Sequence, residues 1–315
     1  MPTDALSAFS AIERAERALL RRSGAYRKLW RLRSVELLAE LFHDLCDHLD
    51  VEWLVECGAH AAEASERFVS AAAERRAIAI EANPLTFEAK TTRAAGPRLT
   101  VLCVGLARRS GTGMLQIPNS RPGDPMPPTA SLLRPASPEQ SLVEVPVETV
   151  SLNSVSERFG LSGRVALWID VEGMAKEVLE GGDELIPDKV SLVIVETETT
   201  DLWNGGGSFS EVDRLLQLFG LAPLARDSQQ DGQFNAIYVR SESAAVPEKL
   251  VRRYLAEVVR GVPLSHRLAH AMNTRRKQGF FRATHAALND WAVRRLGAAR
   301  AVRLKAALLR RGPAD

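Results

Sequence analysis

The sequence predicts an α/β fold built on a mostly parallel β-sheet. Between residues 51 and 240, short apolar runs alternate with segments of helical periodicity, which is the pattern of βα units. The 315 residues, 45% hydrophobic and 25% charged, suit one α/β domain of roughly 200 to 250 residues with extensions. This composition argues against extended disorder, and no apolar run reaches the roughly 18 positions of a membrane span. We therefore expect a soluble, cytoplasmic protein.

Six apolar runs are predicted as strands of this sheet, with helices between most of them. The runs cover residues 52–57, 76–81, 99–106, 165–170, 191–196 and 234–240. Before the sheet, residues 35–49 carry apolar side chains at three- and four-residue spacing, typical of an amphipathic helix that covers one end of the core. We therefore divide the chain into an N-terminal helical cap (1–50), a central domain (51–245) and a C-terminal extension (246–315).

Residues 107–142 interrupt the alternation of strands and helices. They hold seven of the sixteen prolines, which predicts an irregular insertion without a core of its own. Such an insertion could be a lid over a site or simply a loop. Residues 143–150 then alternate apolar and polar side chains as a half-exposed strand does, and Pro146 favours an edge position for that strand.

The net charge of +2 conceals an acidic body and a basic tail. Residues 51–245 carry 17 basic and 27 acidic side chains, whereas residues 246–315 carry 16 basic and 4 acidic ones. Residues 247–311 have helical periodicity throughout and mix apolar with basic side chains. Such an extension can bind a polyanion or an anionic membrane, here at the inner face, or pack on the acidic body. The charge alone does not distinguish these alternatives, and no specific nucleic-acid contact is expected.

A strand, a small-residue turn and a helix follow one another over residues 54–68. Such a turn directs free backbone N–H groups and the positive end of a helix at a ligand above the sheet. Gly58 lets a ligand approach the backbone, and Glu56, at the strand end, can bind a cationic group. Glu81 ends the next predicted strand, where a carboxylate can accept both hydroxyls of a ribose. A plain βα turn and a solvated acid are the structural alternatives.

Residues 166–182 carry the most specific pattern. Four apolar residues lead into Asp170, and Glu172 follows two positions later. Because the carboxyl ends of strands line the ligand crevice of an open α/β sheet, both carboxylates would face it. Two carboxylates so close raise each other's pKa, which suits a general base or half of a cation site. Glu196 and Glu198 end the following strand, and helix capping explains one carboxylate well but four converging ones poorly.

Together these motifs resemble the FkbM-type methyltransferases, a branch of the S-adenosylmethionine-dependent enzymes with a Rossmann-like class I sheet. The resemblance covers about residues 50–240 and rests on ECGAHAAEAS, EANP, VETVSLNSV, WIDVEGMAKEVLEGG and VIVE. It implies a seven-stranded sheet whose last strand is antiparallel, and methylation of hydroxyl groups on sugars, glycans or natural products. Two positions depart from the family's acid-x-Gly-Ala-Asn-x-Gly pattern, since His60 replaces the Asn and Ala62 the second Gly.

The resemblance also implies roles for individual residues. The turn after the first strand would hold the methionine end of the cofactor, Glu81 the ribose, and residues 103–106 the adenine. The cofactor-binding set is Glu56, Gly58, Ala59, His60, Glu81, Asn83, Leu106 and Asp170. Asp170 or Glu172 would take the proton from the acceptor hydroxyl. His60 is a competing catalytic base, because an unperturbed histidine titrates near neutrality.

Metal ions and other functional classes are weaker alternatives. No His and Cys residues have metal-ligand spacing, and the three cysteines are expected to be buried free thiols. Asp170 with Glu196 or Glu198 could hold Mg²⁺, which we do not favour, and Trp203 could stack on a sugar. A nicotinamide-dependent oxidoreductase is disfavoured because the turn lacks Gly-x-Gly-x-x-Gly. The altered turn instead favours an inactive, methyltransferase-like binding or scaffold protein that works through its basic tail.

Overall fold

The computed structural model describes residues 11–12, 14–15, 24–118, 129–136, 142–200, 202–230, 232–242 and 248–261. Its strands are β1 (Trp53–Cys57), β2 (Arg76–Ile80), β3 (Leu99–Leu102), β4 (Gly105–Leu106), β5 (Gly111–Pro118), β6 (Leu142–Val150), β7 (Val165–Ile169), β8 (Val190–Glu198), β9 (Leu221–Arg226) and β10 (Gln233–Arg240). Its helices include α1 (Gly24–His48), α2 (Glu63–Ala71), α3 (Pro84–Ala89), α4 (Leu152–Phe159), α5 (Ala175–Glu180), α6 (Leu185–Lys189), α7 (Phe209–Leu218), α8 (Glu248–Arg260) and a short 3-10 helix (Thr91–Ala94). In this part of the chain, none of the helices combines the length and apolarity needed to cross a bilayer.

The main sheet has seven strands in the order β3-β2-β1-β7-β8-β10-β9. The neighbours from β3 to β8 are parallel, whereas β10 runs antiparallel to both β8 and β9. The predicted mostly parallel sheet with an antiparallel last strand is therefore confirmed. The strand order reverses between β1 and β7, and such a switch point opens the crevice in which α/β sheets bind ligands.

Burial explains why most of the strands were predictable. All nine residues of β8 are buried, because helices cover both faces of a parallel sheet and leave a continuous apolar run. The helix predicted at 35–49 is confirmed as part of α1, which begins earlier, at Gly24. Phe42 of α1 packs edge-on against Trp168 of β7, with ring centroids 5.2 Å apart, so α1 covers one face of the sheet.

A second, smaller sheet has the order β4-β6-β5, with β5 antiparallel to β6. The prediction of an irregular insertion without a core is wrong for residues 111–118. These residues form β5, and Leu115 and Ile117 join Val147 in a buried apolar cluster. Prolines on the C-terminal side of β5 hid this strand in the sequence. Residues 119–128 and 137–141 of the insertion lie outside the described part of the chain.

Two further predictions need correction, and one strand was missed. β6 was expected at an edge and lies in the middle of the small sheet, yet β4 pairs only with Thr149 and Val150. Pro146 therefore pairs with β5 alone, so its missing N–H is tolerated. β9 was not predicted, because it is an edge strand interrupted by Pro223. Cys103 is exposed, since it lies between β3 and β4, whereas the other two cysteines are buried free thiols as expected.

Helix α8 is the described part of the basic extension, and it packs on the body. Its buried residues are Val251, Tyr254 and Val258. The Tyr254 hydroxyl donates to the backbone oxygen of Arg226 at 2.6 Å, and the indole N–H of Trp30 donates to the Val258 oxygen at 3.0 Å. Residues 262–315 lie outside the described residues, so the helices expected there stay predictions.

Candidate functional site

A cavity of about 710 Å³ opens at the carboxyl ends of the central strands, on both sides of the switch point. Gly58 follows β1, Glu81 follows β2, Asp170 follows β7, and Glu196 lies near the end of β8, and all four line the cavity. The parallel arrangement of these strands brings residues that are far apart in the sequence to one edge of the sheet. The cavity thus unites most of the side chains that the sequence singled out.

Gly58 connects the turn after β1 to the neighbouring strands. Its φ is +82°, and a Cβ atom at this position would lie 1.7 Å from the backbone oxygen of Asp170. The N–H groups of Gly58 and Ala59 both donate to the Ile80 oxygen at 2.9 Å. We expected glycine here for a ligand's approach, but the close neighbour is the protein's own backbone. Ala59 is buried and is not among the residues that line the cavity.

Glu56 lies behind the turn and does not line the cavity. Its side chain is buried, and Oε2 accepts a hydrogen bond of 2.8 Å from the backbone N–H of Ser65 in α2. Burial raises the pKa of Glu56 to about 7, and the hydrogen bonds that its carboxylate accepts oppose this rise. In this position Glu56 ties the first turn of α2 to β1.

Glu81 and Asn83 form one wall of the cavity. Each carboxylate oxygen of Glu81 accepts one backbone N–H at 2.8 Å, from Asn83 and from His60. Burial raises the pKa of Glu81, and these two bonds oppose the shift. Asn83 caps α3 by accepting the N–H of Leu85 at 3.1 Å, and its buried Nδ2 has no hydrogen-bond partner. A fixed pair of acceptors therefore stands beside an unused donor.

His60 also lines the cavity, but its ring is engaged. Ring atom Nε2 lies 2.6 Å from the ammonium Nζ of Lys90. Since an ammonium group can only donate, Nε2 is the acceptor and the ring proton is on Nδ1. Burial and the charge of Lys90 lower the pKa of His60. The lowered pKa favours a neutral ring, and the lone pair on Nε2 is already engaged by Lys90.

The apolar side of the cavity is formed by Val104, Gly105 and Leu106, at and before β4. This is the segment at which the adenine was expected. Cys103 precedes it but does not line the cavity.

Three carboxylates converge at another part of the cavity wall. One oxygen each from Asp170, Glu172 and Glu196 lies within 4.8 Å of the others. Burial, and then the neighbouring carboxylates, raise the pKa of Glu172 to about 8 and that of Glu196 to about 7. Burial and Glu196 also hold the pKa of Asp170 well above its ordinary range. The group is therefore able to keep and exchange protons near neutral pH.

Glu198 lies two residues beyond Glu196 in β8 and does not line the cavity. It is buried, and burial raises its pKa. Trp203 does line the cavity, packed so closely on Gly173 that a Cβ atom there would lie 2.6 Å from the indole ring.

Several lining residues escaped the sequence analysis. Ser131, within the insertion, donates its hydroxyl to the backbone oxygen of Glu172 at 2.6 Å. The described part of the insertion thus forms a wall of the cavity. The loop before β10 and the first residue of that strand add three polar amides, from Gln229, Gln230 and Gln233. The sequence QQDGQ offered only an unusual density of amides as a signal.

The site and the sheet define a class: an α/β protein with a ligand crevice at the switch point of a seven-stranded sheet. The methyltransferase FkbM domain family matches residues 56–222, more than half of the chain. The protein therefore belongs to this family, as the sequence predicted. No curated protein gives a significant match to the sequence.

Solved structures with similar backbones include two methyltransferases. Magnesium protoporphyrin IX methyltransferase from Synechocystis, with bound SAM, is 10% identical with a TM-score of 0.38, covering 76% of this chain and 99% of that one. The 1,6-didemethyltoxoflavin-N1-methyltransferase of Burkholderia thailandensis, with bound 1,6-didemethyltoxoflavin and S-adenosylhomocysteine, is 12% identical with a TM-score of 0.34. That match covers 74% of this chain and 85% of the other.

Proposed function

We propose that this protein is an S-adenosylmethionine-dependent O-methyltransferase that acts on a hydroxyl group of a sugar, glycan or other natural product. One observation carries the proposal: Glu81 and Asp170 face the same cavity from strand ends on opposite sides of the switch point. The first is suited to bind a nucleoside and the second to accept a proton. Family membership independently supports methyl transfer.

The residues present fit the cofactor. Glu81 has both oxygens fixed by backbone N–H groups, which leaves further lone pairs for the two ribose hydroxyls. Asn83 lines the same cavity, and its buried Nδ2 is a donor without a partner among the described residues. Val104 and Leu106 give an apolar surface for a base. When bound, the cofactor supplies a methyl group on a sulfonium, which is already activated for displacement.

Asp170 is the proposed catalytic base. Its carboxylate would take the proton of the acceptor hydroxyl while that oxygen receives the methyl group that a bound cofactor would supply. A raised pKa makes its carboxylate a better proton acceptor, and positioned bases contribute roughly 10²- to 10⁴-fold. One carboxyl oxygen each of Glu172 and Glu196 lies within 4.8 Å of Asp170, so a proton can be shared within this group. His60 is a poorer base, because Lys90 already occupies its lone pair.

The chemistry of the wall supports a neutral, hydroxyl-rich acceptor. No Lys or Arg occurs among the described residues that line the cavity, so nothing there matches an anionic group beside the reacting oxygen. Ser131, Trp203 and the three glutamines supply hydroxyl, aromatic and amide groups. Such groups bind sugar hydroxyls by hydrogen bonds and sugar faces by stacking.

We also propose a cytoplasmic location, with peripheral contact to an anionic membrane or polyanion through the basic extension. Its described helix α8 is packed on the body, so the contact would rest on the residues beyond Gly261. The competing function is an inactive scaffold that uses this extension. It would keep the cavity but would not turn over cofactor.

Two measurements test the proposal. Calorimetry with S-adenosylhomocysteine should show binding by the wild-type chain, with nicotinamide dinucleotides as the negative control. Mass spectrometry of glycans and metabolites incubated with the protein and cofactor should show species heavier by one CH₂. Cofactor binding without any such product, in extracts that contain candidate acceptors, would favour the scaffold instead.

A further inference from the structure

The turn between β1 and α2 contains two residues in an unfavourable backbone conformation. His60 has a φ of +47° and Ala62 a φ of +59°, which is the left-handed region. In that region a side chain's Cβ crowds the backbone, so glycine and asparagine are the usual occupants. The family pattern that this turn resembles has Asn and Gly at these two positions. Here the turn must be held by other contacts.

Three hydrogen bonds hold His60, one at each of three polar groups. Its backbone N–H donates to Glu81 Oε2 at 2.8 Å, and its backbone oxygen accepts the Thr91 hydroxyl at 2.5 Å. Its ring Nε2 accepts from Lys90 at 2.6 Å. Thr91 is fully buried, so its hydroxyl has little alternative to this bond. Two of the three bonds thus come from adjacent residues just after α3.

We propose that Lys90 and Thr91 are positioning residues for the nucleoside site, an inference that rests on the proposed function. They hold His60 in the left-handed conformation, which keeps its N–H on Glu81. That N–H, with the one from Asn83, sets the direction of the Glu81 carboxylate. The ligand-binding geometry of Glu81 therefore depends on two side chains that do not line the cavity.

The charge state of this group suits the role. Lys90 lowers the pKa of His60 and also favours the ionised form of Glu81. Burial is the larger cause of each shift, and Lys90 adds to the lowering of the pKa of His60 while it opposes the rise in that of Glu81. One cation thus stabilises both acceptors of the network.

A double-mutant cycle tests the inference through affinity for S-adenosylhomocysteine, measured by calorimetry. Lys90→Met should weaken binding about 3- to 10-fold, the loss expected for one hydrogen bond of ordinary strength, because Lys90 acts on the site through His60. In a His60→Asn background, asparagine tolerates the left-handed conformation at position 60, and there is no imidazole ring for Lys90 to hold. Lys90→Met should then weaken binding less than about 2-fold. Lys249→Met, which removes an exposed lysine of α8, should have no effect in either background.

Thr91 supplies the second arm of the experiment. Thr91→Val removes the hydroxyl and should weaken binding, whereas Thr91→Ser keeps it and should restore affinity. Circular dichroism checks that each variant is folded. If the role of Thr91 is merely structural, Thr91→Val should lower the melting temperature. The affinity should then not be rescued in Thr91→Ser.

Two outcomes would overturn the inference. Unchanged affinity in Lys90→Met shows that Lys90 positions nothing. An equal loss in both backgrounds shows that Lys90 acts through its charge on Glu81 or on the ligand, rather than by holding the ring of His60. Failure of the proposed function looks different, since the wild-type chain itself would then bind no S-adenosylhomocysteine.

Discussion

A Cβ atom on residue 58 would lie 1.7 Å from the backbone oxygen of Asp170. The turn that carries the proposed cofactor site and the strand end that carries the proposed base are therefore in direct contact. Only a residue without a side chain allows this contact. The φ of +82° at Gly58 is a second, independent reason for glycine at this position.

Gly58→Ala is therefore expected to reduce stability and cofactor affinity together. The alanine must push the β1 turn away from Asp170, and we expect a loss of about 2 to 4 kcal/mol in the free energy of unfolding. Urea denaturation measures this. Gly160→Ala is the matched control, since Gly160 also has a positive φ but a Cβ atom there would have no neighbour within 4 Å. Equal losses in the two variants would show that strain, not the contact with Asp170, sets the cost.

Glu81→Ala should weaken the binding of S-adenosylhomocysteine by about 10- to 150-fold. The change removes the charged acceptor of the ribose hydroxyls, a loss of roughly 1.5 to 3 kcal/mol. It also frees the N–H groups of His60 and Asn83. Calorimetry gives the affinity, and Glu88→Ala, at an exposed position of α3, is the control. Unchanged binding in Glu81→Ala would remove this residue from the cofactor site.

The sequence predicted this site because β2, β7 and β8 are buried on both faces. Each is a continuous apolar run that ends abruptly at an acidic side chain, so Glu81, Asp170 and Glu196 stand out. Parallel strands then bring those ends to one edge of the sheet. The α/β fold and the position of the crevice follow from this pattern alone.

Other parts of the site left no such pattern. Lys90 meets His60 across thirty residues of sequence, and nothing in the spacing indicates that contact. Glu56 looked equivalent to Glu81 at a strand end, but its side chain turns to the N–H of Ser65 behind the turn. The prolines at the end of β5 and after it concealed this strand, so the insertion appeared to have no core. Side-chain direction and non-local pairing are set by tertiary packing, which a local pattern does not contain.

Asp170→Asn should fold and bind cofactor but lose about 10²- to 10⁴-fold in turnover. The amide keeps the shape of the carboxylate and cannot accept the acceptor's proton. Methyl transfer from labelled cofactor measures turnover once an acceptor is identified. Near-normal activity in this variant, with collapse in Glu172→Gln or His60→Ala, would assign the base to one of those residues.

Methyl transfer by the wild-type enzyme should also survive exhaustive chelation. The raised pKa values of Asp170, Glu172 and Glu196 indicate that the group can relieve its charge repulsion by keeping a proton, so we expect no need for Mg²⁺. Activity that is lost with a chelator and restored by added Mg²⁺ would contradict this expectation.

The raised carboxyl pKa values predict that the ligand-free protein loses stability as the pH rises from about 5 to about 8. Glu196 has an ordinary pKa of 4.5 and about 7 when folded, so between these values the unfolded chain releases a proton that the folded chain keeps. Its stabilising contribution is full below 4.5 and is lost as the pH rises through about 7. Glu172, with a folded pKa of about 8, acts in the same direction.

Glu196→Gln isolates this effect. The amide mimics the protonated acid, so at about pH 8 the variant should be more stable than the wild type by about 1 to 3 kcal/mol. At about pH 5 the two should differ little. Urea denaturation at both pH values provides the test, with Glu184→Gln at an exposed site as control. A gain of the same size at both pH values would rule out titration as its cause.

Removal of residues 262–315 should abolish binding to anionic vesicles and leave cofactor affinity unchanged. The apolar face of α8 is already occupied, since Val251, Tyr254 and Val258 are buried against the body. Twelve of the sixteen basic side chains of residues 246–315 lie beyond Gly261, so we expect most of the membrane attraction from them, at roughly 1 kcal/mol per basic side chain near a charged surface. The intact chain should co-sediment with anionic but not neutral vesicles, and added salt should weaken this as the Debye length falls below about 10 Å. If the intact chain stays in the supernatant at low salt, the extension does not bind membranes, and packing on the body becomes its role.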